Sequence, residues 1–131
     1  MHFSCQPGCT RCCTQEGWVY VSREDLPPLA AFLGIGEDEL RRRYVYSTKN
    51  TARLRRVRGR CPFLRDQGCS VHAAKPTQCR LFPFWPELIE DELELKETAK
   101  WCPGIGKGDM VPVEALQESA RKMRKAYPHM Y

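Results

Sequence analysis

Apolar positions along the chain follow two patterns, helical spacing toward the C-terminus and short, interrupted runs elsewhere. Val113, Leu116, Ala120, Met123 and Tyr127 recur at helical spacing, which predicts an amphipathic helix over about 113–127 packed on the rest of the domain. Leu40 and Tyr44 share a face of a second helix, predicted over 37–46. Its acids Glu37, Asp38 and Glu39 sit at the positive end and Arg41, Arg42 and Arg43 toward the negative end. Ser22 and Asp25 mark a capped turn over 22–26, followed by a helix from Pro28 to Leu33 that Gly34 stops.

The other stretches are shorter. Residues 1–16 read as an irregular loop bent at Pro7-Gly8, and Trp18-Val19-Tyr20-Val21 as a β-prone run. Cys61 and Cys69 flank the turn-rich Arg65-Asp66-Gln67-Gly68, so a hairpin would bring them toward each other. Lys75-Pro76 opens a helical turn carrying Cys79 and Arg80, and the prolines of the apolar wall Leu81–Pro86 exclude a regular helix there. Leu93 and Leu95 alternate within the acidic stretch 87–97 as in an edge strand, which could pair with the basic segment. The fold expected is a small α+β domain of irregular Cys-rich loops, one or two short hairpins and a C-terminal helix. It is read as one domain over 1–131, with a metal region over 1–108.

Composition makes the core thin. With 131 residues, ten prolines and nine glycines, a domain of this size buries a limited share of its surface and gains from cross-links. Eight cysteines offer disulfides or metal, and the compartment decides between them. No apolar run of signal-peptide or membrane-span length occurs. The expectation is therefore the cytoplasm, where thiols stay reduced and clustered cysteines bind metal.

Four thiols, Cys5, Cys9, Cys12 and Cys13, lie within nine residues; Cys61, Cys69, Cys79 and Cys102 follow across a second stretch. A crowd of soft anionic donors selects Zn²⁺, Cu(I) or iron–sulfur over magnesium or calcium. Cys9-x-x-Cys12 is a zinc-type pair. The wide spacing of the second set suits a cluster whose inorganic core holds its own geometry, and Cys61-Pro62 and Cys102-Pro103 echo the Cys-Pro step of ferredoxin-type sites. Adjacent Cys12 and Cys13 point in different directions, so two nearby centres, one polynuclear centre or one non-ligand thiol is expected. The formal charge of +5 becomes −3 with eight thiolates and +1 with two dications, which fits zinc and [4Fe–4S]²⁺ alike.

Nine basic residues and no acid lie between Arg41 and Arg60. This segment reads either as a solvated face with Leu54 and Val57 inward or as a patch for an acidic or phosphate-bearing partner. No aromatics are interleaved between Lys49 and Arg60, which weighs against single-stranded nucleic acid. Gly104-Ile105-Gly106-Lys107-Gly108 lacks the hydroxyl and spacing of a P-loop.

Cys9-x-x-Cys12-Cys13, Cys61-Pro62-Phe63-Leu64, Gly68-Cys69, Lys75-Pro76-x-x-Cys79-Arg80-x-Phe82-Pro83-Phe84 and Cys102-x-Gly104-Ile105-Gly106 resemble the YkgJ-type, CxxCxxCC zinc- or iron-chelating proteins. The resemblance implies that Cys5, Cys9, Cys12, Cys13, Cys61, Cys69, Cys79 and Cys102 are the metal ligands. It leaves metal and reaction open, one branch including a flagellin lysine methylase. The chain departs from the pattern in Cys5-x-x-x-Cys9, in Arg11 for the usual glycine, whose charge could offset the thiolates, and in His72 and Lys75 for the frequent Tyr and Arg.

The function expected is iron–sulfur binding with a redox or metal-dependent role. The alternatives are a zinc-stabilised interaction module and a metal storage or delivery protein. His72 is the only histidine away from the termini and has no evident orienting carboxylate. It reads as a turn histidine, and no catalytic residue is assigned.

Overall fold

The computed structural model describes residues 1–66 and 68–131; Gln67, in the expected turn between Cys61 and Cys69, lies outside the described residues. Strand β1 (His2–Phe3) opens the chain, where a loop was expected, and a 3₁₀ turn spans Arg11–Cys13. A second 3₁₀ turn, Arg23–Asp25, leads into α1 (Leu26–Leu33). The Asp25 carboxylate accepts the Ser22 amide at 2.8 Å, and Gly34 ends the helix in the left-handed region at φ 71°.

Helix α2 (Glu37–Tyr44) stops two residues short of expectation because Val45 turns extended and begins β2 (Val45–Ser47), which pairs antiparallel with β3 (Ala52–Leu54). The basic segment is thus the end of α2, a hairpin and a turn; Leu54 points inward as expected, but Val57, in the turn beyond β3, is exposed. Strands β4 (Leu64–Arg65) and β5 (Gly68–Cys69) form the expected Cys61–Cys69 hairpin, with Leu64 opposite Cys69. A 3₁₀ turn at His72–Ala74 and α3 (Thr77–Leu81) follow, the latter carrying Cys79 and Arg80 as expected.

The acidic stretch departs from the strand reading: it forms α4 (Pro86–Glu90) and α5 (Glu92–Ala99). Asp91 caps α5 by accepting the Leu93 and Glu94 amides at 2.9 and 3.3 Å, and Glu92 pairs with Lys96 at i,i+4. Leu and Glu are strong helix formers, so the two-residue alternation was outweighed. Among the described residues no ion pair joins these acids to the Arg41–Arg60 segment; Glu90 pairs instead with Arg124 at 2.5 Å.

The glycine-rich loop becomes β6 (Ile105–Met110), paired with β1. Its glycines permit close approach of backbone. A Cβ at Gly104 would lie 2.5 Å from the Ser4 carbonyl oxygen, and one at Gly108 2.7 Å from the Ser4 Cβ. That packing requirement accounts for them without a phosphate.

Helix α6 (Val113–Ala126) buries Ala120 and Met123, and Tyr127 just beyond it is buried too, while Val113 at its start is 61% exposed. The main core joins Leu26, Leu29, Leu40, Val45, Leu54, Phe63 and Val71, with Cys61 and Cys69 packed against it. A smaller one joins Leu81, Met123 and Tyr127, with Tyr20 and Trp85 on its flank. Fully burying a leucine such as Leu40 contributes roughly 1.5–3 kcal/mol. Cys61 and Cys69 thus lie against the first core, while α3, which carries Cys79, reaches the second through Leu81.

Candidate metal centre

All eight cysteines are free thiols: Cys102 is buried, Cys9, Cys13, Cys61, Cys69 and Cys79 are half-buried, and Cys5 and Cys12 are exposed. The fold brings most of them within electrostatic reach of one another. The neighbouring Cys13 thiol, assisted by Lys75 and nearby backbone, lowers the Cys12 thiol to about 6 against the effect of burial. Cys12 as neighbour, burial and the charges of Cys12, Cys61 and Cys69 push Cys13 up.

Burial pushes up Cys79, and the charges of Cys61, Cys12 and Cys69 push it further, with Lys75 opposing. Burial likewise raises Cys61, against the Phe63 amide and with Cys69 adding to the effect; Arg56 opposes it. Cys102 is raised by burial and by Cys9 and Cys12, while the amides of Gly104 and Ile105 favour its thiolate. The N-terminal loop and the second set thus lie within electrostatic reach of one another, a basin of charge made by Cys12, Cys13, Cys61, Cys69 and Cys79 with Cys9 and Cys102 acting at its edge.

Cys5 is exposed and is not a principal influence on any of the shifted thiols. Arg11 is also exposed and is not among the charges acting on them. Lys75 and Arg56 are the cations at the basin, and no motif in the sequence singles out Arg56 for that place. It reaches there because its guanidinium donates to the carbonyls of Gln15, Gly17 and Gly59, tying the cysteine loop to the turn after β3. Exposed His72 lies on its short turn with Nε2 3.4 Å from Lys75 Nζ, consistent with a turn histidine.

Several elements fix the basin. Thr77, at the start of α3, donates its hydroxyl and its amide to Asp25 Oδ1 at 2.6 and 3.0 Å. This sets the helix that carries Cys79. Gln78 accepts the Tyr20 amide at 2.9 Å and donates to the Trp18 carbonyl at 3.1 Å, so the chain leaving the cysteine loop is laced to α3. The Ser4 amide donates to the Gly104 carbonyl at 3.0 Å, so Cys5 follows β1 and Cys102 precedes its partner β6 on the chain segments this bond joins. Phe82 stacks on Trp101 with centroids 5.6 Å apart, next in sequence to Cys102.

The chemistry of this donor set fits a soft cation. Burial and like charge oppose ionisation of thiols that bind metal only as thiolates, and a cation among them removes both costs. Among the described residues no three His, Cys, Asp or Glu side chains are drawn close enough to hold a single metal ion.

By its sequence the chain is of the metal-chelating, cysteine-cluster class. It belongs to the CxxCxxCC family, described as a zinc- or iron-chelating domain, whose sequence model matches residues 4–103. The uncharacterized protein MJ0661 of Methanocaldococcus jannaschii is 30% identical over 107 residues, which cover 77% of this chain and 57% of that protein. The chain thus spans little more than half the length of this relative. No solved structure matches it. Among the described residues no helix is long and apolar enough to cross a membrane.

Proposed function

We propose that the chain binds iron–sulfur through Cys5, Cys9, Cys12, Cys13, Cys61, Cys69, Cys79 and Cys102, and that it serves a redox or metal-dependent role in the cytoplasm. The observation that carries this reading is that thiols from both halves of the sequence act on one another: Cys61 and Cys69 on Cys13, and Cys12 on Cys61 and Cys79, beside the effect of burial. Such widely spaced ligands suit a centre with its own inorganic core. A bound cluster supplies one-electron transfer, its potential set by charge, hydrogen bonds to sulfur and solvent exposure.

The chain's own residues address each of these. Lys75 and Arg56 place positive charge beside the thiolates. The backbone at Phe63, Gly104 and Ile105 favours the thiolates of Cys61 and Cys102, which is the ligating form. Burial of Cys102 limits water at its sulfur.

Zinc is the second reading, supported by the Cys9-x-x-Cys12 spacing and by the action of that pair's charges on Cys102. The Arg41–Arg60 surface extends the proposal to an acidic or phosphate-bearing partner. Arg53, Arg55, Arg58 and Arg60 have no carboxylate partner among the described residues.

Anaerobic purification, an absorption spectrum and counts of iron, zinc and acid-labile sulfide test the metal. Brown protein with matched iron and sulfide is expected. Colourless folded protein with zinc alone overturns the cluster in favour of a zinc module. Rapid metal loss to a chelator without unfolding favours delivery.

A further inference from the structure

We infer that the outward face of the small sheet formed by 19–21, β3 and β2 binds single-stranded nucleic acid. Segment 19–21 lies along β3, with the Leu54 amide donating to the Val19 carbonyl at 2.8 Å and the Val21 amide to the Ala52 carbonyl at 2.9 Å. Tyr46 and Tyr20 are the direct cross-strand partners of Arg53 on its two sides. Side chains alternate between faces, so Val21, Leu54 and Val45 enter the core. Trp18, Tyr46, Arg53 and Arg55 share the opposite face.

These four form a ladder. The Arg53 guanidinium carbon lies 3.9 Å from the Trp18 ring centroid and 4.8 Å from that of Tyr46, and Arg55 lies 6.0 Å from Tyr46. The sequence separates the aromatics from the arginines, and the sheet interleaves them. Trp18 remains 41% and Tyr46 45% exposed, so each retains open ring surface.

The ladder as internal packing alone leaves features unexplained. Arg53 Nε is buried without a hydrogen-bond partner among the described residues, and neither Arg53 nor Arg55 meets a carboxylate. An acidic peptide would satisfy the arginines yet leave the rings unused. A single strand uses both, its bases stacking on rings and its phosphates pairing with guanidinium groups. The turn of the same β2–β3 hairpin borders an open cavity of about 440 Å³ whose charged lining is Arg23, Glu24, Arg41, Lys49 and Lys125, with Arg41 also paired to Glu37. The balance beside the hairpin is therefore positive.

The inference rests on reading Arg41–Arg60 as a partner surface and is independent of which metal is bound. Its test is fluorescence anisotropy of the metal-loaded chain with labelled 12-nucleotide RNA and DNA single strands of mixed sequence. A duplex of equal length and polyglutamate serve as competitors. Single strands are expected to bind about tenfold tighter than duplex, and Tyr46→Ala to weaken them roughly 5- to 100-fold. Arg55→Gln should reduce the log–log salt slope by about 0.7.

Metal content and thermal midpoint of both variants should match wild type, which separates loss of binding from loss of fold. Equal affinity for duplex and single strand, or undiminished binding by both variants, overturns the inference. Competition by polyglutamate with no strand binding overturns it while leaving the acidic-partner reading standing; binding of neither removes both.

Discussion

The Thr77 hydroxyl donates to Asp25 Oδ1 at 2.6 Å, joining residues 52 positions apart. The buried carboxylate also receives the Thr77 amide at 3.0 Å and the Ser22 amide at 2.8 Å. One side chain therefore closes the entrance to α1 and fixes α3, two residues before Cys79. Asp25→Ala leaves these donors unmet and should cost roughly 1.5–3 kcal/mol. Asp25→Asn, which keeps one acceptor oxygen, should lose less. Urea midpoints at unchanged m value would measure both, with metal retention reporting whether α3 stays in place.

Tyr127 completes the same network from the C-terminal side. Its hydroxyl donates to the Tyr20 carbonyl at 2.9 Å and accepts the Gln78 amide at 2.9 Å. Burial, and then the Asp25 charge, hold the phenol well above its ordinary value of 10. The unfolded chain therefore loses this proton first, and the stability contributed below pH 10 declines as pH rises beyond it, by about 1.4 kcal/mol per unit for one group. Tyr127→Phe should cost roughly 1–3 kcal/mol at neutral pH. The gap between wild type and variant should narrow above pH 10, as read from denaturation midpoints across pH.

Gly104 tests whether the glycine-rich segment serves packing. An added Cβ would lie 2.5 Å from the Ser4 carbonyl oxygen and 2.9 Å from the Phe3 ring, at least one of which must move. Gly104→Ala should destabilise the chain by about 1–3 kcal/mol as β1 is displaced. Gly36 has open space around it and no positive φ, so Gly36→Ala should change stability by less than about 0.5 kcal/mol. Thermal midpoints of the pair would settle the matter.

Local signals carried much of the fold into view. Gly34 and the Ser22–Asp25 turn bounded α1, the charge gradient located α2, and the spacing of Ala120, Met123 and Tyr127 identified α6. What stayed hidden was decided over distance or by competition. Leu93 and Leu95 suggested a strand because alternation ignores Asp91, whose cap sets the helix. The Asp25–Thr77–Tyr127 network joins residues with no local mark of one another. At the candidate site, the eight cysteines were legible by type and spacing. The cations beside them were not, because Lys75 and Arg56 arrive from a turn after β5 and from a loop after β3. Trp18 and Tyr46 likewise reach the arginines only through strand pairing.

Arg56 should matter to the metal without touching it as a ligand. It binds the carbonyls of Gln15 and Gly17, just after the cysteine loop, and of Gly59 in its own turn, and places its charge near Cys61. Arg56→Ala removes the tie and the charge together, while Arg56→Lys keeps charge but loses the planar fork that spans several acceptors. Metal retention against a chelator should weaken about tenfold in Arg56→Ala, with Arg56→Lys between it and wild type. Equal retention in all three would remove Arg56 from the account of the site.

Cys79 and Cys5 give the sharpest contrast among the eight thiols. Cys79 sits on a helix fixed by Asp25 and responds to the charges of Cys61, Cys12 and Cys69, so no other residue can replace its sulfur from that direction. Cys5 is exposed on the N-terminal segment. Serine is nearly isosteric but a far weaker donor to a soft metal. Cys79→Ser should therefore abolish stable metal binding and, because binding free energy is also folding free energy, lower the thermal midpoint of the loaded protein toward that of the metal-free chain. Cys5→Ser should keep most of its metal and lose it faster on chelator challenge. Metal counts beside thermal melts distinguish the cases. Matching losses in the two variants would mean that the N-terminal segment folds inward on loading and brings Cys5 to the centre as a full ligand.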